Sequence, residues 1–256
     1  MKVIQANSKQ FFQFDHLAKV GVLHFTSTRH GWGRDGYSRF TGDQADEYAS
    51  FRHELARSLQ IAAEQFVFPR QVHGDQVMVV DGPIQSADVP DTDALITNQP
   101  GICICVQTAD CVPILLFDPV QRVVAAVHAG WRGTVNKIVA KTIHAMQRNF
   151  DSQPEDILAG IGPSIHLHAY EVGEEVMVAV RESFPDHRGL LKPADNAHKA
   201  YFDLWEANRI VMINSGVLAQ NIEVMGFCSY SHEPLFYSYR REGVKTGRMV
   251  SGIMLK

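Results

Sequence analysis

The chain has 256 residues, 45% of them hydrophobic and 20% charged, which is enough apolar sequence to bury a large core and excludes a disordered chain. A formal net charge of −4 argues against a nucleic-acid-binding or membrane-surface protein, and no apolar run reaches the roughly 18 residues of a membrane span. Four cysteines, and a first segment without the apolar run of a secretion signal, favour a cytoplasmic location.

The N-terminal part of the chain alternates short apolar runs with polar loops. Residues 1–45 are predicted as strands and loops, with one strand at 20–25. Apolar side chains then recur at three- and four-residue spacing, which predicts a helix over 44–59. Strands are expected next at 77–80 and in GICICV at 101–106.

A hairpin is the clearest element of the middle of the chain. The segment TADCVPILLFDPVQRVVAAVHAGWRG holds two apolar runs joined by a turn at Asp118-Pro119, and the glycines after it predict entry into a helix in GTVNKIVAKTIHAM. The remaining predictions are helices at 170–184 and 204–215 and strands at 157–161, 222–228, 235–241 and 247–255. This order of elements predicts mixed sheets with helices, and we expect residues 1–256 to form a single domain.

Three residues stand out by type and position. His73 in RQVHGDQV, Cys111 in TADCVP and His128 in VHAGWRG each lie at the junction of a regular element and a turn, where a side chain can face a cleft. Two imidazoles and one thiolate are good zinc ligands, and three protein ligands leave a fourth position open, as in catalytic sites. Their spacings match no short zinc motif, so the pattern equally allows Cys111 to act as a nucleophile with a histidine base.

The segment HAGWRGT suggests an anion site. Gly130 and Gly133 allow close approach of the backbone to a ligand, and the N–H groups of the helix that follows would attract an anion. Arg132 either strengthens this site or covers the ring of Trp131.

Other conspicuous residues have ordinary interpretations. Cys103 and Cys105 alternate on a strand and are expected to pack in the core, and Asp110 either orients a catalytic group or begins a turn. His166 and His168 form the one His-x-His pair of the chain. Arg248 precedes an apolar run, and the sequence allows it to be either a substrate ligand or an ion-pair partner.

Several segments together carry a family resemblance. RQVHGDQV, TDALITNQPGICICVQTADCVPILLFDP, VAAVHAGWRGT, IGPSIHLHAYEVGEEV and SYRREGVKTGRMVSGIML occur in an order that resembles the YfiH-like laccase-domain family. The likeness covers roughly residues 20–256. Members of that family have been called polyphenol oxidases and are described as purine nucleoside phosphorylases with adenosine deaminase activity.

The resemblance implies a fold and a set of site residues. The implied fold is α+β, a single α/β/β/α sandwich with mixed sheets like that of cytotoxic necrotizing factor. The family's zinc-binding histidine, cysteine and histidine fall on His73, Cys111 and His128, which are also the implied catalytic residues. The expected substrate-binding residues are, in chain order, Arg29, Arg52, Arg132, Tyr170 and Arg248.

The chain departs from the family pattern in its N-terminal part. Where the family has an Arg-x-Gly-Gly stretch, then Asn-Leu-Gly and Gly-Asp, this chain has TRHGWGRDGYSRFTGD, in which Arg29, Gly42 and Asp43 fit. A frequent Asn-Arg pair on the next helix is Phe51-Arg52 here, and His168 and Ala169 stand where many relatives carry cysteines. The substrate-facing half is therefore less well defined than the metal ligands.

We expect from the resemblance a zinc-dependent enzyme that cleaves purine nucleosides with phosphate and also deaminates adenosine. A metal-free Cys-His hydrolase or amidase, acting on a cell-wall precursor, would use the same residues. A copper-dependent polyphenol oxidase is disfavoured, because multicopper oxidases need several His-x-His pairs. A non-enzymatic binding module remains the fourth alternative, and the oligomeric state is not defined by the sequence.

Overall fold

The structure is a computed structural model that describes residues 1–32, 37–41, 45–82, 84 and 89–256, with the backbone alone for 45–47. None of the helices within these ranges has the length and hydropathy to cross a bilayer. The family-pattern residues Gly42 and Asp43 lie outside the described ranges.

The described residues form fifteen strands and seven α-helices. The strands are β1 (Lys2–Ala6), β2 (Lys9–Gln13), β3 (Leu23–Ser27), β4 (Phe66–Val67), β5 (Val77–Val79), β6 (Ala94–Thr97), β7 (Cys103–Thr108), β8 (Val112–Asp118), β9 (Val123–Ala129), β10 (Leu158–Ile161), β11 (Glu171–Val172), β12 (Leu191–Pro193), β13 (Ala200–Phe202), β14 (Ile222–Val224) and β15 (Met249–Met254). The helices are α1 (Asp15–Lys19), α2 (Ala45–Leu59), α3 (Trp131–Val135), α4 (Ile138–Phe150), α5 (Glu174–Ser183), α6 (Leu204–Asn214) and α7 (Tyr239–Glu242).

Two six-stranded sheets and one small sheet organise these strands. The first large sheet has the order β1-β2-β3-β15-β7-β4, the second has the order β14-β10-β8-β9-β6-β5, and β11-β13-β12 form the small sheet. Most neighbours are antiparallel, but β4 with β7, β5 with β6 and β10 with β14 are parallel. Both large sheets are therefore mixed.

The hairpin β8–β9 is apolar along its whole length because both of its faces are covered. Successive side chains of a strand point to opposite faces. Leu115 and Phe117 of β8 pack with Ile104 of β7 between the two large sheets. Ile114 and Leu116 point the other way and pack with residues of α4 and α6.

The outer face of the first sheet is covered in the same manner. Leu55 of α2 packs with Phe25, Cys105 and Val250 in a third cluster, and all four side chains are at most 1% exposed. Helices thus cover both outer faces of two stacked sheets. The predicted α+β fold, an α/β/β/α sandwich with mixed sheets, is confirmed.

Among the predicted elements that differ from the structure, three have a clear physical reason. The strand expected at 20–25 begins later, at Leu23, because the short helix α1 precedes it. The helix expected after the hairpin is divided into α3 and α4, since Lys137 between them has a left-handed backbone with φ 60°. The segment 235–241 is not a strand. Its end forms α7, which begins where the Ser238 side chain accepts a hydrogen bond from the Arg241 N–H.

Candidate metal centre

The register of the hairpin brings two of the predicted ligands to the same end of the second sheet. Val112 pairs with Ala129 and Pro113 pairs with His128, so Cys111, which immediately precedes β8, lies beside the last residues of β9. Antiparallel pairing therefore places a thiol and an imidazole next to each other although 17 residues separate them in sequence.

His73 reaches the same position from the loop before β5. Its backbone is left-handed, with φ 60°, and its ring centroid lies 4.8 Å from that of His128, with the two rings nearly perpendicular. One ligand atom from each of His73, Cys111 and His128 lies within 4.8 Å of the other two. His128 is buried, Cys111 half-buried and His73 exposed, which leaves one side of the group open to solvent.

Asp93 connects the two histidines, and sequence reasoning did not select it. Its carboxylate is fully buried just before β6 and accepts a hydrogen bond from His128 Nδ1 at 2.7 Å. It also accepts the backbone N–H groups of His73 at 3.0 Å and Gly74 at 2.7 Å. A carboxylate that orients a histidine in this way is the usual support of a metal ligand, and it leaves Nε2 of His128 as the ligand atom.

Glycines make room for the group. A Cβ atom on Gly130 would lie 3.1 Å from Cys111 Sγ and 3.2 Å from a ring carbon of His73, closer than most Cβ contacts in proteins. A Cβ on Gly133 would lie 3.0 Å from the carbonyl oxygen of Gly74. The glycines of HAGWRG therefore allow the turn after β9 to pack against both the Cys111 thiol and the His73 loop.

The site favours a thiolate beside an imidazolium. Burial raises the pKa of Cys111, but the charge of His128 and hydrogen bonds from both histidines outweigh burial and lower it to about 6. Burial lowers the pKa of His128, whereas the Cys111 thiolate and the hydrogen bond to Asp93 raise it to about 9. A cation held among these side chains would replace the proton of the imidazolium.

The donor set fits zinc. Zinc binds thiolate sulfur at about 2.3 Å and imidazole nitrogen at about 2.0–2.1 Å, so three such ligands lie roughly 3.5 Å apart. The atoms here are already within 4.8 Å, a separation that small side-chain rotations close. Three protein ligands with an open side are typical of catalytic zinc, which acts as a Lewis acid.

The predicted anion site is partly engaged by the protein itself. Arg132 donates a hydrogen bond to Glu175 of α5 at 3.0 Å, and its guanidinium lies 4.3 Å from the ring centroid of Trp131. The helix α3 that begins at this turn has only five residues. A role for Arg132 in phosphate binding stays a prediction.

The charge of Cys111 influences the pKa of two other predicted substrate-binding residues, Tyr170 and Arg248. Burial and the charge of the Cys111 thiolate raise the pKa of Tyr170 well above its ordinary value, and Arg240 lies over the Tyr170 ring at 5.3 Å. Arg248 is half-buried, donates to the carbonyl oxygens of Thr246 and Gly247, and has its pKa lowered first by burial and then by the charge of Arg39.

The remaining two predicted arginines are engaged elsewhere. Arg29 donates to Glu242 at 3.0 Å and to the carbonyl oxygen of Glu233 at 3.1 Å. Arg52 donates to the Phe40 carbonyl oxygen at 2.7 Å, and its guanidinium lies over the Phe68 ring. These contacts give both side chains a structural role, and their contact with substrate stays a prediction.

Asp110 fixes the loop next to Cys111. Its backbone has φ 91°, and its buried carboxylate accepts hydrogen bonds from Ser229 Oγ at 2.6 Å, Ser238 Oγ at 3.1 Å and the Arg240 N–H at 2.7 Å. These contacts hold the loop before β8, and a role for Asp110 in orienting a catalytic group stays a prediction.

Fold and site together define a class: an α/β/β/α sandwich protein with a His-Cys-His candidate metal centre at the end of a central hairpin. The sequence model of the family described as multi-copper polyphenol oxidoreductase laccase matches residues 24–256. The chain belongs to this family, the laccase-domain family with the YfiH-like fold.

Relatives of the chain carry two enzyme names. A Bacteroides thetaiotaomicron protein named purine nucleoside phosphorylase is 38% identical over 96% of this chain and 97% of its own length. Adenosine deaminase RL5, from an unknown prokaryotic organism, is 37% identical over 92% of this chain and 95% of its own. The crystal structure of Bacillus licheniformis hypothetical protein YfiH matches with a TM-score of 0.89 at 27% identity, over 98% of each chain.

Proposed function

We propose that the protein is a zinc-dependent purine nucleoside phosphorylase with adenosine deaminase activity, acting in the cytoplasm as one domain over residues 1–256. The observation that carries the proposal is the convergence of His73, Cys111 and His128, in a chain whose relatives are named for these two reactions.

The two reactions differ in their nucleophile. Phosphorolysis of adenosine, inosine or methylthioadenosine forms a bond from phosphate oxygen to the anomeric carbon of the sugar and breaks the bond to the purine nitrogen. The products are the free base and the sugar 1-phosphate. Deamination of adenosine instead adds water to the purine and releases ammonia. Both reactions require an electrophilic or proton-donating group at the site and a cleft that holds a nucleoside.

The residues of the chain have separable roles in this proposal. His73, Cys111 and His128 would hold zinc, which supplies Lewis acidity toward an oxygen of water, phosphate or substrate. Asp93 orients His128 and the His73 loop through its hydrogen bonds. Tyr170 and Arg248, whose pKa values the charge of Cys111 influences, are proposed to contact the nucleoside or phosphate.

The remaining arginines are proposed to bind the phosphate substrate. Arg132 lies in the turn after β9 and forms an ion pair with Glu175. A phosphate ion that displaced the Glu175 carboxylate would bind the Arg132 guanidinium in its place. Arg29 and Arg52 would reach substrate only by leaving their present partners. The proposal therefore ranks Arg132 and Arg248 above Arg29 and Arg52.

Product analysis tests the proposal directly. The zinc-loaded protein is incubated with adenosine, inosine and methylthioadenosine, with and without phosphate, and the products are separated by chromatography. Inosine should yield hypoxanthine and ribose 1-phosphate only when phosphate is present, and adenosine should be deaminated without phosphate. Equal cleavage of inosine without phosphate would instead identify a nucleoside hydrolase.

A Cys-His hydrolase is the second candidate, favoured by one observation. The lowered pKa of Cys111, beside a histidine that is itself bonded to Asp93, is also the arrangement of a thiolate nucleophile and its oriented base. The metal content of the purified protein separates the two candidates, because a stoichiometric zinc would occupy the thiolate. A multicopper oxidase is not supported, since the described residues offer one group of three or more metal-ligating side chains.

A further inference from the structure

A second pair of histidines faces one another outside the site described above. His166 and His168 lie on either side of Leu167 in a 3₁₀ turn between β10 and β11, with ring centroids 4.6 Å apart. Their Nδ1 atoms point at each other at 2.5 Å. His168 is exposed and His166 half-buried, so a dissolved ion can reach the pair.

The Nδ1 atoms of the two rings are directed toward one point between them. The backbone N–H of His168 lies 3.5 Å from His166 Nδ1, at the outer limit of a hydrogen bond. Nε2 of His168 lies 2.8 Å from Ser231 Oγ. When that nitrogen donates to the hydroxyl, Nδ1 is the unprotonated nitrogen of a neutral ring. In the metal-free pair one Nδ1 carries a proton that it donates to the other. A metal ion that replaced this proton would accept a lone pair from both rings.

Neighbouring side chains hold both rings in place. The Trp205 ring packs edge-on against His166 at 4.6 Å, and the indole N–H donates to Ser164 Oγ at 2.6 Å. The His166 backbone N–H donates to Cys228 Sγ at 3.4 Å. Outer contacts of this kind fix the orientation of metal-binding histidines, and Ser231 supplies the corresponding contact to His168.

We propose that His166 and His168 bind a divalent transition-metal ion through their Nδ1 atoms, at a site separate from that of His73, Cys111 and His128. Imidazole ligands suit zinc, nickel, copper and cobalt. Ligand bonds of about 2.0–2.1 Å require the two nitrogens to separate to roughly 3 Å, which rotation of the exposed His168 ring provides. Solvent completes the coordination, so this site binds more weakly than the three-ligand centre.

Cobalt titration distinguishes the two sites, because a thiolate ligand adds a sulfur-to-cobalt charge-transfer band that nitrogen ligands lack. Chelator-treated full-length protein is titrated with Co²⁺ and followed by absorbance and by equilibrium dialysis. We expect a first class of site that binds Co²⁺ with the charge-transfer band, and a second class that binds Co²⁺ with lower affinity and without the band. His166→Gln and His168→Gln should each weaken the second class at least about tenfold and leave the band of the first unchanged.

The matched control is His198→Gln, because His198 is another surface histidine with an 83% exposed side chain. This variant should retain both classes of site. The proposal is overturned if the unsubstituted protein has no second class, if the second class survives His168→Gln, or if His198→Gln weakens it equally, which would identify nonspecific binding to surface histidines.

Discussion

Replacing Asp93 by Asn should weaken zinc binding and destabilise the metal-free protein, while the fold survives. The carboxylate is fully buried and accepts hydrogen bonds from the His128 ring and from the backbone of His73 and Gly74. Asn has the same shape but only one acceptor oxygen. Its NH₂ group would replace the second oxygen and would face N–H donors from which it cannot accept. His128 and the His73 loop would then lose their common anchor.

The magnitude follows from the number of bonds lost. A hydrogen bond to a charged group contributes about 1.5–3 kcal/mol, and two of those to Asp93 would lose their acceptor, so we expect a loss of about 3–6 kcal/mol. For a chain of this length each kcal/mol lowers Tm by roughly 2–4 °C. Zinc affinity should fall about 10- to 100-fold, as for other orienting carboxylates.

Chelator competition measures zinc affinity, and calorimetry of the metal-free chain measures stability. The matched control is Asp118→Asn at the opposite end of the same hairpin, where another fully buried aspartate accepts backbone N–H groups of Val120 and Gln121. Both N–H groups donate to the same oxygen, Oδ1, which Asn retains, so this control should lose less stability than Asp93→Asn and should keep its zinc affinity. A folded Asp93→Asn variant with the zinc affinity of the original chain would refute the role assigned to Asp93.

Three further results are expected. Cys111→Ala should abolish turnover and zinc binding, whereas Cys103→Ala, at a buried packing position, should keep turnover within about tenfold; equal losses would mean that the ligand is misassigned. Gly130→Ala should lower zinc affinity in the competition assay, because its Cβ would lie 3.1 Å from Cys111 Sγ. Burial lowers the pKa of His24 below its ordinary value of 6.5, so the unfolded chain takes up this proton at a higher pH than the folded chain does. The free energy of unfolding should therefore fall as pH drops below 6.5, by at most about 1.4 kcal/mol per pH unit. Denaturant titrations of His24→Gln should lack this component.

The grouping of the candidate ligands could be predicted from the sequence because hairpin geometry and chemistry agree. Two continuous apolar runs around Asp118-Pro119 define a hairpin, and antiparallel pairing then places Cys111 beside His128. His73 is a candidate by its residue type and its place at a turn, but its grouping with Cys111 rests on the family resemblance, since 38 residues separate the two and only tertiary structure joins them.

The supporting residues could not be predicted in the same way. Asp93 resembles any aspartate before a strand. Its role depends on hydrogen bonds from the loop at His73, which lies 20 residues earlier in the chain. The partner of Arg132 is Glu175 on another helix, 43 residues along the chain. The aromatic residues of 235–241 are typical of a strand, but the Ser238 side chain caps a helix there instead.

Zinc reconstitution with an activity readout tests the central claim most directly. Chelator-treated protein receives increasing zinc, and at each step bound zinc and phosphate-dependent cleavage of inosine are measured on the same sample. The account predicts that activity rises in proportion to the first zinc bound, reaches its maximum at one zinc per chain, and is absent from Cys111→Ala at every zinc concentration. Full phosphate-dependent activity in the zinc-free protein, or undiminished activity in Cys111→Ala, would contradict it.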